Sequence, residues 1–187
     1  MVPVTSLWLP ILVSAVIVFV ASSILHMLLP FHRKDYRALP AEGEVMDALR
    51  RFNIPPGDYL VPCPTGPSAM KDPAFLEKRA KGPVMIATVM PGGPVNMGGP
   101  LAQWFLLSVV VSIFAGYVAG AALPPGAPYL AVFRFVGTVA FVGYSLALWQ
   151  STIWYKRSWA TTLRLNIDGL IYALLTAGTF GWLWPKA

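Results

Sequence analysis

Two histidines, one cysteine and eight carboxylates supply most of the acid–base and soft-ligand chemistry open to this 187-residue chain. Seven of the eight acids fall between Pro30 and Pro100, and the eighth, Asp168, stands alone at the start of an apolar run. His26 sits near the end of another apolar run, about 5 Å from its edge at the helical rise. Gln103, Gln150, Asn166 and Asp168 fall at similar depths in the other three runs, so each run contributes a polar group to one layer. Ionisable groups at membrane depth need a partner or a water path, which makes His26 and Asp168 the acid–base pair of interest. A carboxylate beside an imidazole can move its protonation across the physiological range. A proton relay, a small polar-ligand pocket and axial ligation of a metallated tetrapyrrole through His26 are each chemically open. So is a hydrogen-bond network that merely closes one end of a bundle. His26, His32 and Cys63 alone are too few for a conventional zinc or iron–sulfur site, and no metal site or named cofactor is expected from them.

The runs that must position these groups dominate the composition. Apolar residues make up 56% of the chain and charged residues 12%, against roughly 45–50% and 25% in soluble domains. Four stretches are long enough to span a hydrocarbon core: Leu7 to Leu29, Leu101 to Leu123, Tyr129 to Gln150 and Leu163 to Trp184. The expected fold is an all-α membrane protein of four transmembrane helices, organised as a first helix (1–29), a large cytoplasmic loop (30–100) and a three-helix region (101–187). The uncharged part of the fourth run, Gly169 to Trp184, covers only about 24 Å. Asp168 is therefore expected at the bilayer edge, and Arg134 in the third run is expected to snorkel to the opposite headgroups.

Charge sets the expected orientation. Twelve of the fourteen Lys and Arg residues lie between Pro30 and Pro100 or in and beside the Ser151–Thr162 connection, against Arg134 and Lys186 on the other side. The positive-inside rule then puts the loop in the cytoplasm and both termini outside. Met1 to Leu29 lacks a basic start and is read as a retained anchor. All seven tryptophans fall near run ends, as an interfacial belt would have them: Trp8, Trp182 and Trp184 at one boundary, Trp104, Trp149, Trp154 and Trp159 at the other.

Within the loop, two short amphipathic helices are legible. Pro40 to Asn53 has acids early, Arg50 and Arg51 late, and an apolar face of Val45, Met46, Leu49 and Phe52. Asp72 and Pro73 begin a second, which Gly82 and Pro83 end. Val84 to Met90 is too short to cross and reads as an interfacial strand or a segment tucked under the bundle. The glycine-rich stretch from Pro91 to Pro100 has no Gly-Lys-Ser/Thr and precedes a membrane run, which argues against nucleotide binding.

Small residues recur every fourth position in two runs. Ser108, Ser112, Gly116 and Gly120 form one ladder, and Gly169, Ala173, Ala177 and Gly181 form the other. In lipid, close backbone approach drives helix association, so these two faces are expected to meet, within one chain or between two copies.

No His-Glu-x-x-His, Gly-x-Ser-x-Gly, Cys-x-x-Cys or phosphate-loop motif occurs, and a non-enzymatic role is expected. The leading expectation is a structural or accessory subunit of a membrane complex, touching the bilayer and either a partner membrane subunit or a second copy, with no nucleic acid. The alternative is a small transporter or a proton- or ligand-binding membrane protein using the layer around His26 and Asp168. The run His26-Met27-Leu28-Leu29-Pro30, with Asp35-Tyr36, Leu39-Pro40 and Gly143-Tyr144-Ser145-Leu146-Ala147-Leu148-Trp149, resembles small bacterial integral membrane proteins of unassigned function. That resemblance covers most of the chain and implies a bacterial plasma-membrane location. It carries over no site, cofactor or activity.

Overall fold

A computed structural model describes residues 1–186, and their contacts divide the chain into two compact units. The first comprises Met1–Tyr36 and Asn96–Ala187, and the second Arg37–Val95.

The first unit is a bundle of four long helices. Helix α1 (Trp8–Ser23) continues a 3₁₀ turn, Val4–Leu7, and runs on into a π-helical turn, Ile24–Leu28. Helix α4 (Gly98–Ala122) and helix α5 (Tyr129–Ser145) follow, with α5 prolonged by a 3₁₀ turn and the short α6 (Trp149–Ile153). Helix α7 (Trp159–Leu183) closes the unit. Three stretches are long and apolar enough to cross a membrane: Val4–Leu28, Gly98–Ala122 and Tyr129–Ile153. α7 is as long, at 25 residues, but Arg164, Asn166 and Asp168 interrupt its first half. It begins four residues before the expected Leu163, so Asp168 lies in the third turn and not at the helix start.

Connectivity sets the packing. The tight turn after α4 forces α5 alongside it, the short link after α6 brings α7 back along α5, and α1 closes the square against α4 and α7. This up-down order leaves α4 and α7 diagonal. The two small-residue ladders consequently do not meet each other within the chain, although Gly116 lies against Phe180 of α7, and of the two expected arrangements the meeting between two copies is the one left. The α4 ladder packs on α1: Ser112 Oγ lies 3.0 Å from Ser14 Oγ, and the Val2 N–H donates to the Gly120 carbonyl at 2.8 Å. A Cβ at Gly120 would stand 2.3 Å from the Val2 carbonyl oxygen. The α7 ladder packs on α5 instead. Gly169 lies under Tyr144 and Ser145, a methyl at Gly137 would meet Ala177, and one at Gly181 would strike the Tyr129 ring at 2.6 Å.

Away from the polar layer the interior is sealed. Leu7, Val132, Val136, Ala177 and Phe180 are fully buried in one apolar cluster. Outward positions such as Leu12, Val16, Leu106, Phe114 and Leu174 remain exposed and apolar. Trp8, Trp154, Trp159 and Trp182 also point outward. Three tryptophans of the expected belt do not. Trp104 donates to Ser22, Trp149 to Asn166 and Trp184 to the Pro124 carbonyl, each satisfying its indole N–H inside the bundle.

The second unit holds α2 (Glu42–Arg50), β1 (Gly57–Val61), α3 (Pro73–Lys81) and β2 (Met85–Val89). Asp72 caps α3 by accepting from the Ala74 N–H at 3.1 Å, and Gly82, at φ +63°, ends it. β1 and β2 pair antiparallel, Gly57 opposite Val89 and Val61 opposite Met85, with the Thr88 hydroxyl donating to Asp58 at 2.6 Å. This small sheet departs from the all-α expectation.

Because the Val2 carbonyl is backbone and cannot swing aside, Gly120→Ala is expected to cost about 1–3 kcal/mol through overpacking. Gly99→Ala, in the first turn of α4 with nothing within 4 Å of its Cβ, is the neutral control. Thermal unfolding of the two variants in mild detergent checks the difference.

Candidate functional site

The site forms where the chain leaves α1. Ile24–Leu28 is π-helical, with the Leu29 N–H bonded to the Ile24 carbonyl at 3.1 Å, and Pro30 starts a 3₁₀ turn over Pro30–His32. This turn folds the Pro30–Tyr36 segment back onto α7, so it belongs to the bundle although its composition reads as loop. Two side chains hold it there. His32 places Nε2 2.9 Å from Asp168 Oδ2 and Nδ1 2.7 Å from Asp35 Oδ2. Asp35 in turn accepts from Arg164 Nε at 2.8 Å. Arg157, just before α7, adds a hydrogen bond to the Tyr36 hydroxyl at 3.4 Å.

Asp168 is the centre of the cluster. Its side chain is 2% exposed, on the face of α7 turned into the bundle. His26 approaches it from α1's end, Nε2 to Oδ2 at 3.6 Å, with its side chain 42% exposed. The His26 and His32 rings stack at 4.1 Å with 21° between their planes. Neither oxygen of Asp168 has an aligned hydrogen-bond donor among the described residues, and His32 Nε2 is likewise unpartnered despite its proximity. The 2.9 Å contact is thus one of position, without the alignment of a hydrogen bond.

Asp35 is the fixed anion of the group. Burial disfavours its ionised form, but hydrogen bonds from His32 and Arg164, together with the guanidinium charge, outweigh that and hold its carboxyl below the usual 3.8.

A cavity of about 370 Å³ opens onto this cluster. His26 and Asp168 form its polar floor, while Trp104, Tyr144, Tyr172, Leu101, Leu148 and Leu165 are among its walls. The aromatic wall is internally braced: Tyr172 meets Trp104 edge-on at 5.7 Å and Tyr144 at 5.6 Å. Among the described residues the hydroxyls of Tyr144 and Tyr172 are buried without an aligned hydrogen-bond partner. The cavity therefore combines a large apolar surface with a few convergent polar atoms, the pattern of a small-molecule site.

Of the five residues expected in the polar layer, the structure brings His26 and Asp168 together. Asn166 is buried but engaged elsewhere, accepting from Trp149 at 2.9 Å and donating to the Thr162 carbonyl. Gln103 and Gln150 are exposed. Equal depth placed all five in one layer, but rotation about the helix axis divides them. His32, Asp35 and Arg164 join the site without having been singled out. Their only sequence signal was the His-x-x-Asp spacing just past Pro30, hidden among basic residues that read as an orientation signal. No protein-family model, curated protein or solved structure matches the chain.

Asp35→Asn removes the anion that ties His32 to Arg164 and is expected to cost about 1–3 kcal/mol, as for a hydrogen bond to a charged group. Arg33 and Lys34 are already exposed, and freeing the segment should let their backbone enter trypsin's cleft, so cleavage there should quicken in both Asp35→Asn and Arg164→Ala. The double variant should cleave no faster than either single one, since both break the same link.

Proposed function

We propose that the protein is a small integral membrane protein that binds a bilayer-soluble amphiphile, its apolar body against the aromatic wall and its polar head at the His26–Asp168 centre. The observation that carries this reading is the 370 Å³ cavity, apolar along its walls and floored by a buried carboxylate without an aligned hydrogen-bond donor among the described residues. A buried acceptor left unsatisfied costs about 1–3 kcal/mol, more when charged, so a group that meets it gains that much. The buried apolar cluster around Leu7, Val136 and Phe180 offers no polar path beyond the cavity among its own side chains, which favours binding over passage.

In this reading α7 is a fourth crossing. Its polar residues face inward, Asp168 and Asn166 both being buried, while Leu163, Ile167, Leu170 and Leu174 face out. Four crossings with twelve basic residues on one side support a cytoplasmic Arg37–Val95 unit and outward termini, in a bacterial plasma membrane. The His26–Asp168 centre then lies on the cytoplasmic side.

A role as an accessory subunit, beside a partner membrane subunit or a second copy, is the second reading. It is favoured by Met46 and Leu49 on α2 and Phe52 just after it, which remain exposed. A stoichiometric partner on mild-detergent purification from the native source would support it.

The binding reading is tested by quenching. A brominated amphiphile in bilayer vesicles should quench Trp104, seen as the difference between the wild type and Trp104→Phe. Ser23→Phe, which fills the cavity from α1, should abolish that difference. Equal quenching in wild type and Ser23→Phe would refute an occupant in the cavity.

A further inference from the structure

The floor of the cavity has a geometry that neither a hydrogen-bond network nor a simple ion pair accounts for. His26, His32 and Asp168 each offer one ligand atom, and all of these lie within 4.8 Å of one another. Nitrogen and carboxylate oxygen bind zinc-class ions at about 2.0–2.2 Å, which sets ligand-to-ligand spacings of roughly 3.3 Å in a tetrahedral site. The observed separations from Asp168 Oδ2, 2.9 Å to His32 Nε2 and 3.6 Å to His26 Nε2, bracket that value. A hydrogen-bonded imidazole would aim its N–H at the oxygen. Here His32 Nε2 and both Asp168 oxygens are buried, close and unaligned.

A second observation comes from the far side of the His32 ring. Nδ1 lies 2.7 Å from Asp35 Oδ2, and Asp35 is itself pinned by Arg164 at 2.8 Å. A carboxylate accepting from Nδ1 keeps the proton there and leaves Nε2, 2.9 Å from Asp168 Oδ2, as the nitrogen with a free lone pair. This is the outer-shell arrangement that orients metal-ligating histidines and raises their basicity. Asp35 and Arg164 neutralise each other, so the inner ligand set carries only the charge of Asp168, and a divalent ion would leave a single positive charge.

We infer that His26, His32 and Asp168 bind a divalent first-row transition ion of the zinc or ferrous class, with Asp35 as the residue that positions His32. Two histidines and one carboxylate suit that class and leave a coordination position open. His26 is the ligand that moves. Its ring is stacked on His32, so both lone pairs reach one ion only when it swings outward, and it is half-exposed on a π-helical turn, a backbone form frequent at functional sites. The open position faces the cavity, where an oxygen of the amphiphile's head would complete the coordination. The assignment therefore rests on the binding reading for the ligand but not for the ion.

The test uses the full chain in detergent, stripped with chelator, and two probes without amphiphile: Zn²⁺ by calorimetry and Co²⁺ by absorption. One equivalent of Zn²⁺ should bind, and Co²⁺ should give the intense visible bands of a low-coordinate nitrogen–oxygen site. His32→Ala and Asp168→Asn should abolish both signals. Asp35→Asn should weaken Zn²⁺ binding about 10–100-fold and shift the Co²⁺ bands, with Asp35→Glu restoring them. In case a variant fails to fold, carbethoxylation of the wild type supplies an independent readout: Zn²⁺ should protect His26 and His32 together. Absence of stoichiometric Zn²⁺ binding, or Co²⁺ bands unaltered by His32→Ala in folded protein, would overturn the metal centre. If Trp104 quenching survives in that same protein, the amphiphile reading stands and the metal alone falls. If the metal binds and quenching is absent, the reverse holds.

Discussion

Placing a carboxylate inside an apolar bundle is among the most costly arrangements a helix can adopt, and Asp168 is 2% exposed. Much of the polar end of the bundle follows from meeting that cost. One helix does not do so alone, because the cation one turn away on α7, Arg164, is engaged by Asp35. The compensating groups come from elsewhere in the chain. α1 ends in a π turn that delivers His26, and the segment beyond it folds back to deliver His32. Asp35 and Arg164 then lock that segment in place. A loop that would otherwise leave the membrane surface directly is thereby made part of the bundle.

The opposite end is held differently. There the chain makes backbone-to-backbone contacts, Val2 to Gly120 and Gly126 to Pro185, and glycines at 120 and 181 admit a carbonyl and an aromatic ring where a methyl would collide. No acidic or basic side chain takes part in these contacts. Small residues thus close one end of the bundle and charged ones organise the other, with the apolar cluster of Leu7, Val132, Val136 and Phe180 between them.

What the sequence revealed divides along the range of the interactions involved. Three apolar stretches were legible because membrane length and lack of charge are local properties, and α3 was legible because Asp72, Pro73 and Gly82 act within a few residues. The small-residue ladders disclosed which faces pack closely but not what they pack against. In an up-down bundle each helix has two neighbours and one diagonal, and short connections, not the ladders, select among them. β1 could not be anticipated from Gly57–Val61, since a five-residue strand depends on β2, which begins 24 residues after β1 ends. His32 was obscured for a related reason. Its partners Asp168 and Asp35 lie on opposite sides of the ring, one of them far away in sequence, and its surroundings of Arg33, Lys34 and Arg37 gave a stronger and different signal.

The difference between the two ends has a mechanical corollary for a bundle seated in a bilayer. Main-chain bonds and interlocked glycines behave as a stiff clamp, whereas stacked imidazoles and a half-exposed His26 behave as a latch that side-chain rotation alone can release. Stress from tension or altered packing in a single leaflet would be absorbed at the latch, widening or narrowing the space beneath Trp104 while the clamped end holds its shape.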